Sequence, residues 1–208
     1  MKNSFKLFDF QGTPVYLKYW FLILFLFLSV KMVLVAFVAV LVHEMAHAWV
    51  AKKLGYNVRQ IYLDVLHGAA EIDSGYQNNY KDTIRIVAAG PLSNAVLALV
   101  AYCLHLCGVI PEAFLSFTTL FIVINLFLCI FNLLPIFPLD GGRISKAILL
   151  NHFGKKGQFY SGVVSMTFSI LLLLYSLFTF DLILIFFSVI FIFISYHEIS
   201  GRNELNQN

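Results

Sequence analysis

Residues 19–53 read YWFLILFLFLSVKMVLVAFVAVLVHEMAHAWVAKK. Before the closing Lys52-Lys53, the apolar run is broken only by Lys31 and by the group His43-Glu44-Met45-Ala46-His47. A bilayer core takes about 20 apolar residues per helix, so the stretch is too long for one straight span. As one helix it would also put Lys31 deep in hydrocarbon, at a cost of roughly 3 kcal/mol. A turn at Ser29-Val30-Lys31 makes two helices of it and brings the lysine to the interface.

The second of these helices carries the chemistry. His43 and His47 are four residues apart and therefore share one face, a turn apart. Two imidazoles so placed can bind one zinc ion, and Glu44 between them can act as general base on water. Inside a membrane helix such ionisable groups are costly without a partner, which makes them functional candidates.

Further along the chain, apolar regions run from Ile84 to Cys107, Ala113 to Leu134, Tyr160 to Phe178 and Leu182 to Tyr196. Each is one span, giving about six transmembrane helices in an all-α polytopic membrane protein. Lys2 and Lys6 precede a mixed stretch without a small-residue cleavage site, so the first helix is expected to stay as an anchor. With the N-terminus in the cytoplasm, Lys31 is the one cation left outside, and the positive-inside rule is satisfied. Both termini and the opening of the site are then expected to be cytoplasmic, in a bacterial cell membrane.

Two inner segments are not simple linkers. Ile61, Leu63 and Val65 alternate with Tyr62, Asp64 and Leu66, which is strand periodicity. A break at His67-Gly68 and a return over Ala69 to Ile72 predict a small membrane-associated β-hairpin on the cytoplasmic side. Pro135 to Gly142 holds two prolines and two glycines, which forbid a continuous helix.

Composition agrees with membrane burial: of 208 residues, 60% are hydrophobic and 12% charged, against about a quarter charged in soluble domains. A net charge of +3, scattered along the chain, argues against nucleic acid as a partner. Cys103, Cys107 and Cys129 read as small hydrophobes in apolar helices. His67, His105, His152 and His197 read as interfacial or loop residues. Residues 1–208 are expected to form a single membrane-embedded domain.

A catalytic zinc takes three protein ligands and keeps one position open. The best third ligand is Asp140, within Asn132-Leu133-Leu134-Pro135-Ile136-Phe137-Pro138-Leu139-Asp140-Gly141-Gly142. By itself Asp140 reads equally well as a cap on the helix starting near Ile144. Its side of the membrane favours the ligand reading, because the preceding span ends inside, as does the His43 helix. At 1.5 Å per residue, the zinc would lie roughly 15 Å from that inner end.

These residues resemble the site-2 protease family of intramembrane zinc metalloproteases. Gly12-Thr13-Pro14 looks like its N-terminal entry, His43 to His47 its zinc motif, Ala89-Gly90-Pro91-Leu92-Ser93-Asn94 its A-G-P-x-x-N element, and Asn132 to Gly142 its N-x-x-P…L-D-G motif. Within the family, the layout is most similar to the sporulation branch that processes the membrane-associated precursor of a late sigma factor. That branch usually carries a nucleotide-binding CBS domain, for which this chain is too short, and no PDZ insertion is seen.

The resemblance implies one zinc per chain on His43, His47 and Asp140, with Glu44 as catalytic acid/base. It implies a membrane-associated protein substrate, and leaves room for membrane inhibitor or regulatory partners. Asn132 would hold the substrate or the oxyanion, or else cap a broken helix end. Asn94 would tighten packing beside Gly90. The rival readings are a non-catalytic membrane protein that binds metal or a partner, and a metal transporter. The absence of an internal repeat argues against the transporter.

Overall fold

The computed structural model describes residues 4–23, 28–63 and 68–200. The turn expected at Ser29 is a helix cap. The Ser29 hydroxyl accepts the Met32 N–H at 3.3 Å and opens helix α1 (Val30–Lys53), satisfying one of the first-turn donors. Lys31, in the first turn, donates to the Ser116 hydroxyl at 2.7 Å and lies 4.6 Å from the Phe117 ring centroid. At the other end, Lys52 and Lys53 occupy the last turn, where cations offset the negative end of the helix dipole. Lys53 folds back over Trp49, 3.7 Å from its ring centroid.

The expected hairpin is present as β3 (Val58–Leu63) and β4 (Gly68–Ile72), paired antiparallel. Its turn, residues 64–67 with His67, lies outside the described residues. The hairpin is half of a four-stranded sheet. Two N-terminal strands, β1 (Ser4–Phe10) and β2 (Thr13–Lys18), complete the order β1-β2-β3-β4. β2 and β3 run parallel, with Val15 opposite Ile61 and Leu17 opposite Leu63. Parallel neighbours need a long crossover, and α1 lies in that connection.

The sheet lies along α1 and is not confined to its end. Lys52 donates to the Gln11 carbonyl at 2.5 Å. The Ala70 N–H donates to Glu44. Leu17, Phe21 and Leu63 form one buried cluster with Val33, flanked by Phe37, Val40 and Leu41. At 1.5 Å per residue, Val33 to Lys52 is roughly 28 Å of helix.

The expected first membrane helix falls in part outside the described residues. Tyr19–Ile23 is a short 3-10 helix, and residues 24–27 lie outside the described residues. Leu17 and Phe21 pack with Val33, in the first turns of α1.

The remaining helices are α2 (Tyr80–Leu106), α3 (Leu115–Asn132), α4 (Asp140–Phe153), α5 (Lys156–Thr179) and α6 (Leu182–Ser200). All but α4 are long and apolar enough to cross a bilayer, so with α1 there are five such helices among the described residues. Large side chains such as Leu126, Phe127, Ile130, Phe186 and Phe193 are exposed on these helices. A soluble monomer rarely carries so much exposed apolar surface. The chain is an integral membrane protein.

Two compact units are distinguished: Met1–Tyr76 with Ala88–Ile130, and Gln77–Val87 with Phe131–Asn208. The first holds the sheet, α1 and most of α2 and α3. In the second, α5 and α6 pack along a seam of small residues. Ser161, Ser165, Ser169, Ser188 and Ser195 are each 0% exposed, and the Ser165 and Ser195 hydroxyls are 2.6 Å apart. In lipid, close backbone approach and interhelical hydrogen bonds replace the hydrophobic drive, at about 0.6 kcal/mol per bond.

Candidate metal centre

His43, Glu44 and His47 project from one stretch of α1, and their side chains are buried: 5%, 6% and 4% exposed. Each offers a ligand atom, and these atoms lie within 4.8 Å of one another. The imidazole planes stand edge to face, with centroids 4.7 Å apart.

The space the two imidazoles face is kept open by Gly90 of α2. A Cβ on that residue would sit 2.3 Å from His47 Nε2 and 2.5 Å from His43 Nε2. No real side chain tolerates such distances, so the two Nε2 atoms converge on a cradle that needs glycine. Two converging nitrogens with a carboxylate beside them form a donor set that suits zinc. The residues present therefore fit the metal.

The outer nitrogen of His43 is also engaged. Its Nδ1 lies 2.5 Å from Asn94 Oδ1, and Asn94 is 0% exposed. Gly90 and Asn94 are four residues apart on α2, so the same helix face supplies both the open cradle and the ring partner. Read from sequence, Asn94 is a packing residue. The structure makes it the hydrogen-bond partner of a candidate ligand. The i, i+4 spacing of Gly90 and Asn94 was the signal that could have shown it.

Glu44 is held from the sheet. Its Oε2 accepts the Ala70 N–H at 3.1 Å. Ala70 stands opposite Ile61 on β4, a strand that ends the sheet order. Its N–H is thus turned to the free edge, where it meets the carboxylate. Sequence reasoning placed a hairpin in this segment but gave no sign that its edge touches the glutamate.

Asp140 and Asn132 belong to the second unit and are positioned by that unit's own elements. Asn132 is the last residue of α3 and is half-buried. Asp140 is 7% exposed and is the first residue of α4, whose N-cap is Leu139. The Arg143 guanidinium lies 3.9 Å from its Oδ1. The segment between them folds back tightly on the start of α4. A Cβ on Gly141 would lie 2.2 Å from the Leu133 carbonyl oxygen and 2.3 Å from that of Leu134. The loop is tied down further where the Phe137 N–H donates to the Ser165 hydroxyl at 2.8 Å. The prolines and glycines read as a helix break thus build a rigid shelf that carries Asp140.

His105, His152 and His197 are exposed, as are Cys103 and Cys107, while Cys129 is half-buried. Among the described residues, no buried side-chain nitrogen or oxygen lacks a hydrogen-bond partner. The polar groups inside the apolar helices are therefore built into the fold.

Comparison with known proteins follows the same residues. The family model of Peptidase family M50 matches residues 31–114 and 105–176. The chain belongs to this family. Among M50 relatives, it is 30% identical over 201 residues to a zinc metalloprotease of Methanocaldococcus jannaschii, covering 91% of this chain and 58% of that protein. It is 31% identical to stage IV sporulation protein FB of Bacillus subtilis, over 55% of this chain and 38% of that one. The chain thus spans little more than half, or less, of the length of these curated relatives. The solved site-2 protease from Methanocaldococcus jannaschii matches with a TM-score of 0.69 at 29% identity, covering 94% of this chain and 95% of that one.

Proposed function

We propose that the chain is an intramembrane zinc metalloprotease that cuts a membrane-associated protein substrate. The observation that supports this best is the pair of imidazole Nε2 atoms converging on the Gly90 cradle beside Glu44, all within an apolar helix. His43 and His47 would hold the zinc. Asp140 is proposed as the third ligand, on its place in the family motif and the need for a third donor. When bound, zinc supplies a Lewis acid that acidifies water and polarises a carbonyl.

The chain's own groups carry the proton. Glu44 takes it from the attacking water and later gives it to the leaving amine. The Ala70 N–H holds Oε2 and so orients the carboxylate. Asn132 is proposed to hold the substrate or the developing oxyanion.

Peptide bonds in a helix are shielded, so the substrate must be extended at the cut. The free edge of β4 is suited to pair with an extended strand. Because Ala70 presents its N–H both to that edge and to Glu44, a strand added there would run past the catalytic carboxylate. The charge distribution supports an opening on the cytoplasmic side of a bacterial membrane. The likeness to the sporulation protein supports a sigma-factor precursor or a similar regulatory protein as substrate.

The test is co-expression with a membrane-associated sigma-factor precursor and with membrane-tethered reporter peptides, read by immunoblot. A shortened product that disappears with Glu44→Gln is the expected result. A product made equally by Glu44→Gln would overturn the role of Glu44. Zinc binding with no product from any substrate would point to a non-catalytic metal-binding protein.

A further inference from the structure

Asn94 is one member of a longer chain of amides. Its Nδ2 donates to Asn125 Oδ1 at 2.8 Å and to the Ala39 carbonyl at 3.3 Å. Asn125 Nδ2 in turn donates to the Phe121 carbonyl at 2.8 Å. Asn94 and Asn125 are each 0% exposed, and both sit on long apolar helices. In hydrocarbon there is no water to take the place of a lost partner.

The direction of this chain is fixed by its ends. The Ala39 and Phe121 carbonyl oxygens can only accept, so the Nδ2 atoms of both asparagines must be the donors. Asn94 then turns its Oδ1 towards His43. Since Oδ1 can only accept, His43 Nδ1 must carry the ring hydrogen. A neutral imidazole holding its hydrogen on Nδ1 carries its lone pair on Nε2, the atom that faces the Gly90 cradle.

We infer that Asn125, on a helix that supplies no residue of the His43–His47 motif, is a positioning residue. Through Asn94 it sets the Nδ1–H tautomer of His43 and so prepares Nε2 to bind metal. The inference rests on the reading of His43 as a ligand. It extends that reading to α3, which reaches the centre through two amides and no ligand of its own. Outer partners of this kind typically carry 10- to 100-fold in metal affinity.

The experiment uses the full chain in detergent, as wild type, Asn94→Leu, Asn94→Asp and Asn125→Leu. Zinc affinity is measured by competition with a chromophoric chelator, and the histidine tautomers by ¹⁵N NMR of the apo protein. Both leucine variants should bind zinc about 10- to 100-fold more weakly. Asn94→Asp still accepts from Nδ1–H but gives up the Nδ2 donor to Asn125 and Ala39, so it should lose less affinity than Asn94→Leu. Wild-type affinity in both leucine variants would overturn the inference. So would a loss in Asn94→Asp, while folded, as large as in Asn94→Leu, since that would mean packing alone matters.

The NMR reading decides the matter where a leucine variant does not fold. His43 with its hydrogen on Nδ1 in the wild-type protein supports the inference, and hydrogen on Nε2 overturns it. Failure of the ligand reading looks different. In that case wild type and His43→Ala would bind zinc alike, whatever the tautomer.

Discussion

At the scale of single residues, the centre is made by what is present at His43, Glu44 and His47 and by what is absent at Gly90. Gly90→Ala would put a methyl group within 2.3–2.5 Å of both Nε2 atoms. The expected outcome is loss of bound zinc together with a lower melting temperature, because the group overlaps two buried imidazoles, an overpacking cost of about 1–3 kcal/mol. Metal analysis beside a melting curve checks it, and a Gly90→Ala protein with full zinc would show that the imidazoles do not share that space. For Glu44→Gln, full zinc content is expected with cleavage slower by about 10²–10⁴-fold, the usual contribution of a general acid–base group.

The grouping of His43, Glu44 and His47 was legible from spacing alone, because residues four apart on a helix share one face. Asn94 was read as packing beside Gly90, and their i, i+4 spacing put both on one face without saying what that face meets. What they do depends on which face of α2 meets α1, and that is a tertiary fact. Asn125 was not legible at all. A lone asparagine in an apolar run carries no periodic signal, and its meaning comes from the Asn94 amide 2.8 Å away.

At the scale of elements, the sheet is the piece that departs most from a reading by hydropathy. The alternation over Ile61 to Leu66 gave β3 and a returning strand. β1 and β2 were missed because Ser4 to Lys18 mixes charged and aromatic residues without clean alternation. They become strands through pairing, with Leu17 and Val15 buried opposite Leu63 and Ile61. Tyr19–Ile23, read from composition as part of a membrane helix, is a short 3-10 helix whose Phe21 joins the same buried cluster.

The edge of β4 gives a prediction at this scale. Ala70→Pro removes the N–H that binds Glu44 Oε2 and closes the edge to strand addition. Cleavage should fall at least tenfold while zinc content stays near that of wild type. Proline at Glu71, whose side chain instead pairs with Gln60, is the control for general damage to the strand. Unchanged cleavage in Ala70→Pro would separate the sheet from catalysis.

At the scale of the whole molecule, five long apolar helices among the described residues identify a membrane protein, and the charges propose its orientation. Lys31 opens α1 and Lys52-Lys53 close it, so the two ends of that helix should be distinguishable from outside the cell. In a variant with the native cysteines replaced by serine, Lys31→Cys should react with an impermeant maleimide in intact cells. Lys53→Cys, at the other end of α1, should react only after permeabilisation. The reverse pattern would invert the proposed orientation. Fold class and membrane embedding were legible because hydrocarbon imposes composition over whole segments. The division into two units was not, since it depends on which helices pack together.

The most direct test of the zinc centre is metal content of the purified chain in detergent, compared among wild type, His43→Ala, His47→Ala and Asp140→Ala. It requires no substrate. About one zinc per chain in wild type, lost in each of the three variants, is the expected result for a three-ligand site. Zinc retained in Asp140→Ala would place the third ligand elsewhere. Zinc retained in His43→Ala and His47→Ala would contradict the centre itself.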